Sequence, residues 1–221
     1  AGRDKMYSVI AHDLRSPMAS MKMLLNTIMM SVEKDKIDPD IFDMLEMSNK
    51  TSEEVFSLLD NLLKWTKSQL GKLTVIPQKL DISGLADGVV EVMNSVAEVK
   101  HIKLIRTDHE SFFVYVDIEM IKSILRNLIS NAVKFSNPDS EIKVGIKAED
   151  GKVIVSVTDS GKGIKKEDQH KLLKDSTHFT TYGTNSEEGS GLGLLLCRDF
   201  ARKNGGELWF ESEENLGSVF S

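Results

Sequence analysis

Residues 6–32 read MYSVIAHDLRSPMASMKMLLNTIMMSV, with apolar side chains at Met6, Ile10, Leu14, Met18, Met21, Leu25, Ile28 and Val32. Spacings of three and four place all of them on one stripe of a helix. The charged break Glu33-Lys-Asp-Lys-Ile-Asp-Pro39 interrupts the stripe. A second one resumes through Ile41, Met44, Leu45, Ser48, Thr51, Val55, Leu58, Leu62 and Thr66. Two helices of about thirty residues joined by a short turn form an antiparallel hairpin. A lone hairpin cannot bury stripes of that length, so the pattern predicts pairing with a second copy into a four-helix bundle, and hence a homodimer. Met6, Met18, Met21, Met23, Met29 and Met30 all lie in the first helix, where flexible thioethers suit an adaptable seam.

Beyond this hairpin the periods mix. A polar stretch with Gly71 and Pro77 marks a boundary and a natural hinge. Helical patterns cover 82–100 and 117–135, with Asp117 placed to cap the latter. β-rich runs occupy Lys103–Arg106, Phe112–Val116, Glu141–Ala148 and Lys152–Thr158, and Glu149-Asp-Gly151 is a hairpin turn between the last two. A glycine-punctuated region from Asp159 to Gly193 leads into a helix at 192–203, which Asn204-Gly205-Gly206 stops. Strands follow at 207–212 and 217–221. Helices laid against a mainly antiparallel sheet make an α+β sandwich. The expected organisation is a helical hairpin over 1–70, a linker over 71–80 and a second domain over 81–221.

The 221 residues carry 28 Lys+Arg against 34 Asp+Glu, a net charge of −6. That balance lacks the basic face that direct nucleic-acid binding needs. One cysteine excludes an intramolecular disulfide and a cysteine-based zinc site. No run approaches the length of apolar sequence that spans a bilayer, so no membrane contact is expected from this stretch. Cys197, inside an apolar helix, is expected to pack in the core. His101, His109, His170 and His178 show no metal-ligand spacing.

Four local patterns carry chemistry. In His12-Asp13-Leu14-Arg15-Ser16-Pro17, His12 sits one position off the apolar stripe, on the flank of the bundle. A neighbouring carboxylate can hold one ring nitrogen protonated and leave the other as a nucleophile. A solvated His–Asp pair is the alternative. Pro17 removes a backbone N–H in mid-helix and predicts a kink. In Asn127-Leu-Ile-Ser-Asn131-Ala-Val-Lys134-Phe135, residues 127, 131, 134 and 135 share one helix face, which suits either a metal–phosphate pocket or a solvated polar stripe. Asp159-Ser-Gly161-Lys-Gly163-Ile164 follows a strand. Its carboxylate can accept from an exocyclic amine while the glycines let backbone approach a ligand. Gly189-Ser-Gly191-Leu-Gly193-Leu opens a helix, where bare N–H groups and the dipole favour an anion. It lacks the Lys-Ser/Thr of a P-loop and the spacing of a Rossmann fingerprint. The polar segment Lys171–Glu188, with Thr180, Thr181, Gly183, Thr184 and Asn185, reads as a lid.

Taken in order, these four boxes resemble the catalytic core of a bacterial two-component sensor histidine kinase. The likeness covers nearly the whole chain, ending at Gly217-Ser-Val-Phe220. It implies a dimeric four-helix bundle followed by an α/β sandwich of the histidine kinase/gyrase/Hsp90 ATPase type, with ATP and Mg²⁺ bound in the sandwich. By the same resemblance His12 matches the phosphoacceptor, Asp13 its acidic neighbour, and Ser16 the position that places water when such kinases dephosphorylate their partner. Asn131 matches the Mg²⁺ ligand, with Asn127 supporting metal and phosphates, and Lys134 a phosphate contact. Phe135 lies near the nucleotide. Asp159 matches the adenine acceptor, Gly161 and Gly163 shape that wall, and Gly189, Gly191 and Gly193 form the lid hinge. The implied partners are a second copy and the receiver domain of a response regulator. The implied location is cytoplasmic, with a parent protein that can be anchored in the inner membrane.

Departures from the family pattern are Ser160 in place of the usual Asn, Ser16 in place of Thr or Asn, and Leu172-Leu173 with Phe179 instead of Phe-x-x-Phe. Two other readings share some of the boxes. Gyrase- and Hsp90-type ATPases carry a water-activating Glu where Asn127 stands, and Asn cannot act as that base. A dimeric scaffold could hold ATP as a ligand alone, although an intact His12, Asp13 and Asn131 argue against it.

Overall fold

The computed structural model describes residues 2–33, 36–108, 110–172, 183–184 and 191–221, with side chains from Leu14 onward. The chain divides into two compact units, Ala1–Thr74 and Val75–Ser221.

The first unit is the helical hairpin. Helix α1 (Gly2–Ser31) runs through Pro17, and helix α2 (Pro39–Gln69) starts where the Asp38 carboxylate accepts the Asp40 N–H at 2.9 Å. Pro39 occupies the first turn of α2, where its missing N–H has no partner to lose. Arg15 and Lys64 both reach Asp60, at 2.7 and 2.8 Å, and Lys22 reaches Glu53 at 3.5 Å while lying over the Phe56 ring. Solvated pairs of this kind contribute about 0–1 kcal/mol each, so the two that cross from α1 to α2, Arg15–Asp60 and Lys22–Glu53, bear on the register of the hairpin more than on its stability. Within one copy of the chain the stripes stay partly uncovered: Met21, Ile28, Ile41 and Met44 are 44, 40, 50 and 67% exposed, and off the stripes Met23 and Met30 are more exposed still.

The second unit is an α+β sandwich. In chain order it comprises β1 (Gln78–Asp81), α3 (Ile82–Glu98), β2 (Lys103–Arg106), β3 (Phe113–Val116), α4 (Ile118–Phe135), β4 (Glu141–Glu149), β5 (Lys152–Asp159), α5 (Lys166–Leu172), α6 (Gly193–Lys203), β6 (Phe210–Glu213) and β7 (Gly217–Phe220). The main sheet has the order β2-β4-β5-β7-β6, and β1 pairs with β3 as a separate ribbon. Asp150 and Gly151 take φ of 50° and 73°, the left-handed pair that a two-residue turn between β4 and β5 demands. The core forms where Ala86, Val89, Val90 and Met93 of α3 and Leu125, Leu128, Ile129 and Ala132 of α4 meet Ile142, Val144 and Val157 of the sheet.

Four features add to or differ from the sequence reading. Strand β1 begins inside the stretch 71–80 expected as linker and ends at Asp81. Its four residues alternate too little to signal a strand and are held by antiparallel pairing, Gln78 opposite Val116 through Asp81 opposite Phe113. Helix α5 rises inside the glycine-punctuated region. Strand β2 pairs parallel to β4, so the sheet is not wholly antiparallel. Trp209, expected as a packing residue, is 38% exposed. Among the described residues no helix is long and apolar enough to cross a membrane.

Polar ties join the elements that lead to the site. The Asp117 carboxylate caps α4 by accepting the Met120 N–H at 3.1 Å and also takes the Ile76 N–H at 2.9 Å. The Asn204 side chain, at the end of α6, accepts the Asp117 N–H at 2.7 Å. Cys197 is buried in α6, and burial pushes its thiol pKa up to about 12. The thiolate is the reactive form, so native protein at about pH 8 is expected to resist Ellman's reagent, and denatured protein to titrate one thiol promptly. Prompt reaction of the folded chain would contradict this packing.

Candidate functional site

The core-facing stripe of α4 fixes what its other face presents. With Leu125, Leu128, Ile129, Ala132 and Val133 buried, Asn127, Asn131, Lys134 and Phe135 come to the half-buried opposite side. The Asn127 amide donates to the Ser123 carbonyl at 2.9 Å, which leaves its Oδ1 turned toward Gly193. A Cβ added at Gly193 would lie 3.0 Å from that oxygen, so the first residue of α6 packs directly on Asn127. Leu192, the N-cap of α6, makes no side-chain cap hydrogen bond. Gly191, just before it, has φ 66°.

At its other end α4 stops at Phe135, and its terminal carbonyls are taken by three separate segments. The Lys100 ammonium donates to the carbonyls of Val133 and Lys134, both at 3.0 Å. The Thr184 N–H donates to the Lys134 carbonyl at 3.1 Å. The Lys162 N–H donates to the Phe135 carbonyl at 3.1 Å. Two ammonium groups also gather at the Phe135 ring, Lys134 at 5.0 Å and Lys162 at 4.8 Å from its centroid. These are cation–π distances.

Asp159, the last residue of β5, is buried beside this helix end. Its Oδ1 accepts the Gly161 N–H at 2.9 Å, and the Ser218 N–H also points at the carboxylate. Burial raises its pKa above the usual aspartate value, and these two N–H groups only partly oppose that. Three glycines make the close packing possible. A Cβ at Gly161 would collide with the Phe135 carbonyl, one at Gly163 with the Glu213 carbonyl, and one at Gly217 with the Asp159 carbonyl. Gly163 and Gly217 also need φ of 60° and 114°.

The structure therefore brings Asn127, Asn131, Lys134, Phe135, Asp159, Gly161, Gly163, Gly191 and Gly193 into one unit, around the C-terminal half of α4. Gly189, Phe179 and most of the segment Lys171–Glu188 lie outside the described residues. His12 and Asp13 belong to α1 in the first unit, but their side chains lie outside the described residues, and Ser16 is exposed on the same helix. Sequence reasoning missed Lys100, Lys162 and the docking role of Thr184. Lys162 had a signal, a cation between two closely packed glycines. Lys100 had none, since a lysine at a helix end ordinarily faces water. Among the described residues no three His, Cys, Asp or Glu side chains cluster closely enough to hold a metal ion. A cation here would depend on side-chain amides and on the oxygens of its ligand.

Comparison with known proteins fits this arrangement. Residues 116–221 match the family model described as histidine kinase-, DNA gyrase B-, and HSP90-like ATPase, which sets the class of the second unit. Over 223 residues the chain is 31% identical to the adaptive-response sensory kinase SasA of Crocosphaera subtropica, covering 99% of this chain and 58% of that protein. It is 26% identical to the sensor protein EvgS of Escherichia coli K12, again over 99% of this chain but only 18% of that protein. The catalytic domain of the histidine kinase ThkA superposes with a TM-score of 0.56 at 31% identity, covering 66% of this chain and 92% of that one. The full-length ShkA structure in complex with AMPPNP shares the fold at a TM-score of 0.74 and 21% identity, over 98% of this chain and 44% of that one. The chain belongs to the sensor histidine kinase family and carries its catalytic region. It spans a little over half the length of the SasA relatives.

Asp159 has a consequence for stability. Because its folded-state pKa lies above the unfolded value, its contribution is present at low pH and lost as pH rises through the raised pKa. Asn keeps an acceptor for the Gly161 N–H and carries no charge. Asp159→Asn is therefore expected to melt above wild type at about pH 7.5, the gap closing as pH falls toward the carboxylate range. Calorimetry across that range checks it, and a variant less stable at neutral pH would show that the charge itself is stabilising.

Proposed function

We propose that this chain transfers the γ-phosphoryl group of ATP to a ring nitrogen of His12, and from there to an aspartate on a partner response regulator. The observation that carries the reading is the convergence, in one unit, of a buried carboxylate at a strand end, a helix face of two amides and a lysine, and a glycine-led helix N-terminus without a side-chain cap. The three are complementary to the amine, the metal-bound phosphates and the anionic oxygens of one nucleotide.

In this reading Asp159 accepts the adenine amino group, and Gly161 and Gly163 keep the wall thin enough for it to do so. Lys134 contacts the phosphates, Phe135 lies near the nucleotide, and Gly189, Gly191 and Gly193 shape the loop over them. The amide oxygens of Asn131 and Asn127 would hold Mg²⁺, which when bound neutralises charge on the transferring group. His12 attacks through the lone pair of one ring nitrogen, forming the N–P bond. The bond from the γ-phosphorus to the bridging oxygen breaks, and ADP leaves with the electron pair. Asp13 takes up the proton of the other ring nitrogen, holding the reactive tautomer. Ser16 retains a hydroxyl that can position water for dephosphorylation of the partner.

Support for a homodimer comes from the uncovered apolar stripes of the hairpin. Met21, Ile28, Ile41 and Met44 of those stripes are left in water by one copy alone, and a second copy would bury them. Asn127 supports transfer over hydrolysis, since a side-chain amide cannot deprotonate water. Incubation with γ-labelled ATP and Mg²⁺ is expected to give acid-labile, base-stable label on the protein. His12→Gln should lose it by at least about 100-fold, because no other nucleophile replaces the imidazole. Free phosphate without labelled protein would favour an ATPase, and nucleotide binding without turnover a scaffold.

A further inference from the structure

We infer that Lys100 and Thr184 form a clasp that positions the phosphate side of the nucleotide site. The inference rests on the nucleotide reading above and deepens it.

A helix leaves its last carbonyls without intrahelical donors, and these must find partners elsewhere. Here the Lys100 side chain, buried to 7% exposure, brings a full positive charge to the end of α4. Its ammonium donates to the Val133 and Lys134 carbonyls at 3.0 Å each and to the Thr184 Oγ1 at 2.5 Å. A cation at a helix C-terminus is favoured by the dipole, and charge-assisted donors make short bonds. Thr184 completes the arrangement. Its hydroxyl donates to the Ser136 carbonyl at 2.7 Å, and its N–H donates to the Lys134 carbonyl at 3.1 Å.

Lys134, the proposed phosphate contact, thus has its carbonyl held from two directions, by a residue just beyond α3 and by one between α5 and α6. Thr184 is the described point at which the chain between those helices meets α4. Lys100 and Thr184 need not touch the nucleotide. They act through the backbone that aims Lys134 and Phe135, so both are positioning residues. A buried ammonium is costly unless its donors are satisfied, and surface stabilisation alone does not call for one at this place.

The test uses the whole chain. Thr184→Val keeps the shape of the side chain but removes the hydroxyl's hydrogen bonds with Lys100, Ser136 and Lys134, while leaving Lys100 its two carbonyls. It is expected to raise KM for ATP in His12 autophosphorylation, and to weaken AMPPNP binding by calorimetry, by about tenfold, with kcat changed less than about twofold. Hydrogen exchange of the Thr184 amide should quicken in the same variant. Thr184→Ser, which restores the hydroxyl, should return KM to within about twofold of wild type. Lys100→Met should match Thr184→Val in direction; if it does not fold, the threonine pair carries the test. A merely structural role would lower kcat with the active fraction and leave KM in place, and that result overturns the clasp. So does a Thr184→Val protein with wild-type KM, or a Thr184→Ser protein as impaired as Thr184→Val. A wild-type chain that binds no AMPPNP overturns the nucleotide reading itself, and this role with it.

Discussion

The unsatisfied carbonyls at the C-terminus of α4 are the constraint on which the second unit is organised. A helix end in water would solvate them. This one is covered, and its carbonyls are met by Lys100, Thr184 and Lys162, which come from three different stretches of chain. Because each donor is also a fixed point of its own segment, satisfying one helix end locates the loop behind β5 and part of the chain before α6. The wall around Asp159 follows from it. The Lys162 N–H can reach the Phe135 carbonyl only because Gly161 leaves no Cβ in the way. The loop then runs under the β6–β7 turn, where Gly163 and Gly217 again admit backbone at distances no side chain allows. The close backbone packing and the left-handed φ at Gly163 and Gly217 are the local requirements for bringing Asp159 beside Phe135.

Asp159 shows the cost of that arrangement. Its carboxylate is desolvated more than its two N–H partners compensate, so its ionised form is held at an unfavourable level. A core designed only for stability would place a neutral acceptor or an apolar residue there. In the proposed function this undercompensated buried carboxylate, at a strand end beside glycines that thin the wall, is completed by a donor from outside the chain. Cys197 is the contrast. It is more deeply buried and strongly shifted, yet it lies inside α6 among core residues, where its raised pKa only makes it inert.

Much of this was legible in the sequence, for identifiable physical reasons. The hairpin, α3, α4 and the β4–β5 turn each carry a long period or a turn pair that local chemistry enforces. Asp117 and Asn204 announced the ends of two helices because short polar side chains at such places have few other uses. Strand β1 was not legible, since a four-residue edge segment is specified by its partner β3 and not by its own pattern. Helix α5 was hidden by the glycines around it. Lys100 was the least visible of all: its role depends on a buried contact 34 residues away along the chain, and nothing in its neighbourhood distinguishes it from a solvated lysine. The segments around Phe135, Asp159 and Gly193 sit at ends of elements, where sequence and geometry are most tightly tied, whereas His12–Pro17 lies inside α1.

Asn127 connects the two ends of the site and bears on the choice between transfer and hydrolysis. Its amide donates back to the Ser123 carbonyl, which turns its oxygen away from its own helix and toward the start of α6. An oxygen so oriented is a ligand or an acceptor. It cannot take a proton from water near neutral pH, as a carboxylate at the same place would. Gly193 meanwhile has room for nothing larger without pressing on that oxygen, so the approach of α6 and the orientation of Asn127 are set together. The same contact that lets the glycine-led helix lie close to α4 therefore favours a side chain that coordinates over one that acts as a base. On this argument water has no activating group at that position. In the proposed reaction the nucleophile is then the imidazole of His12.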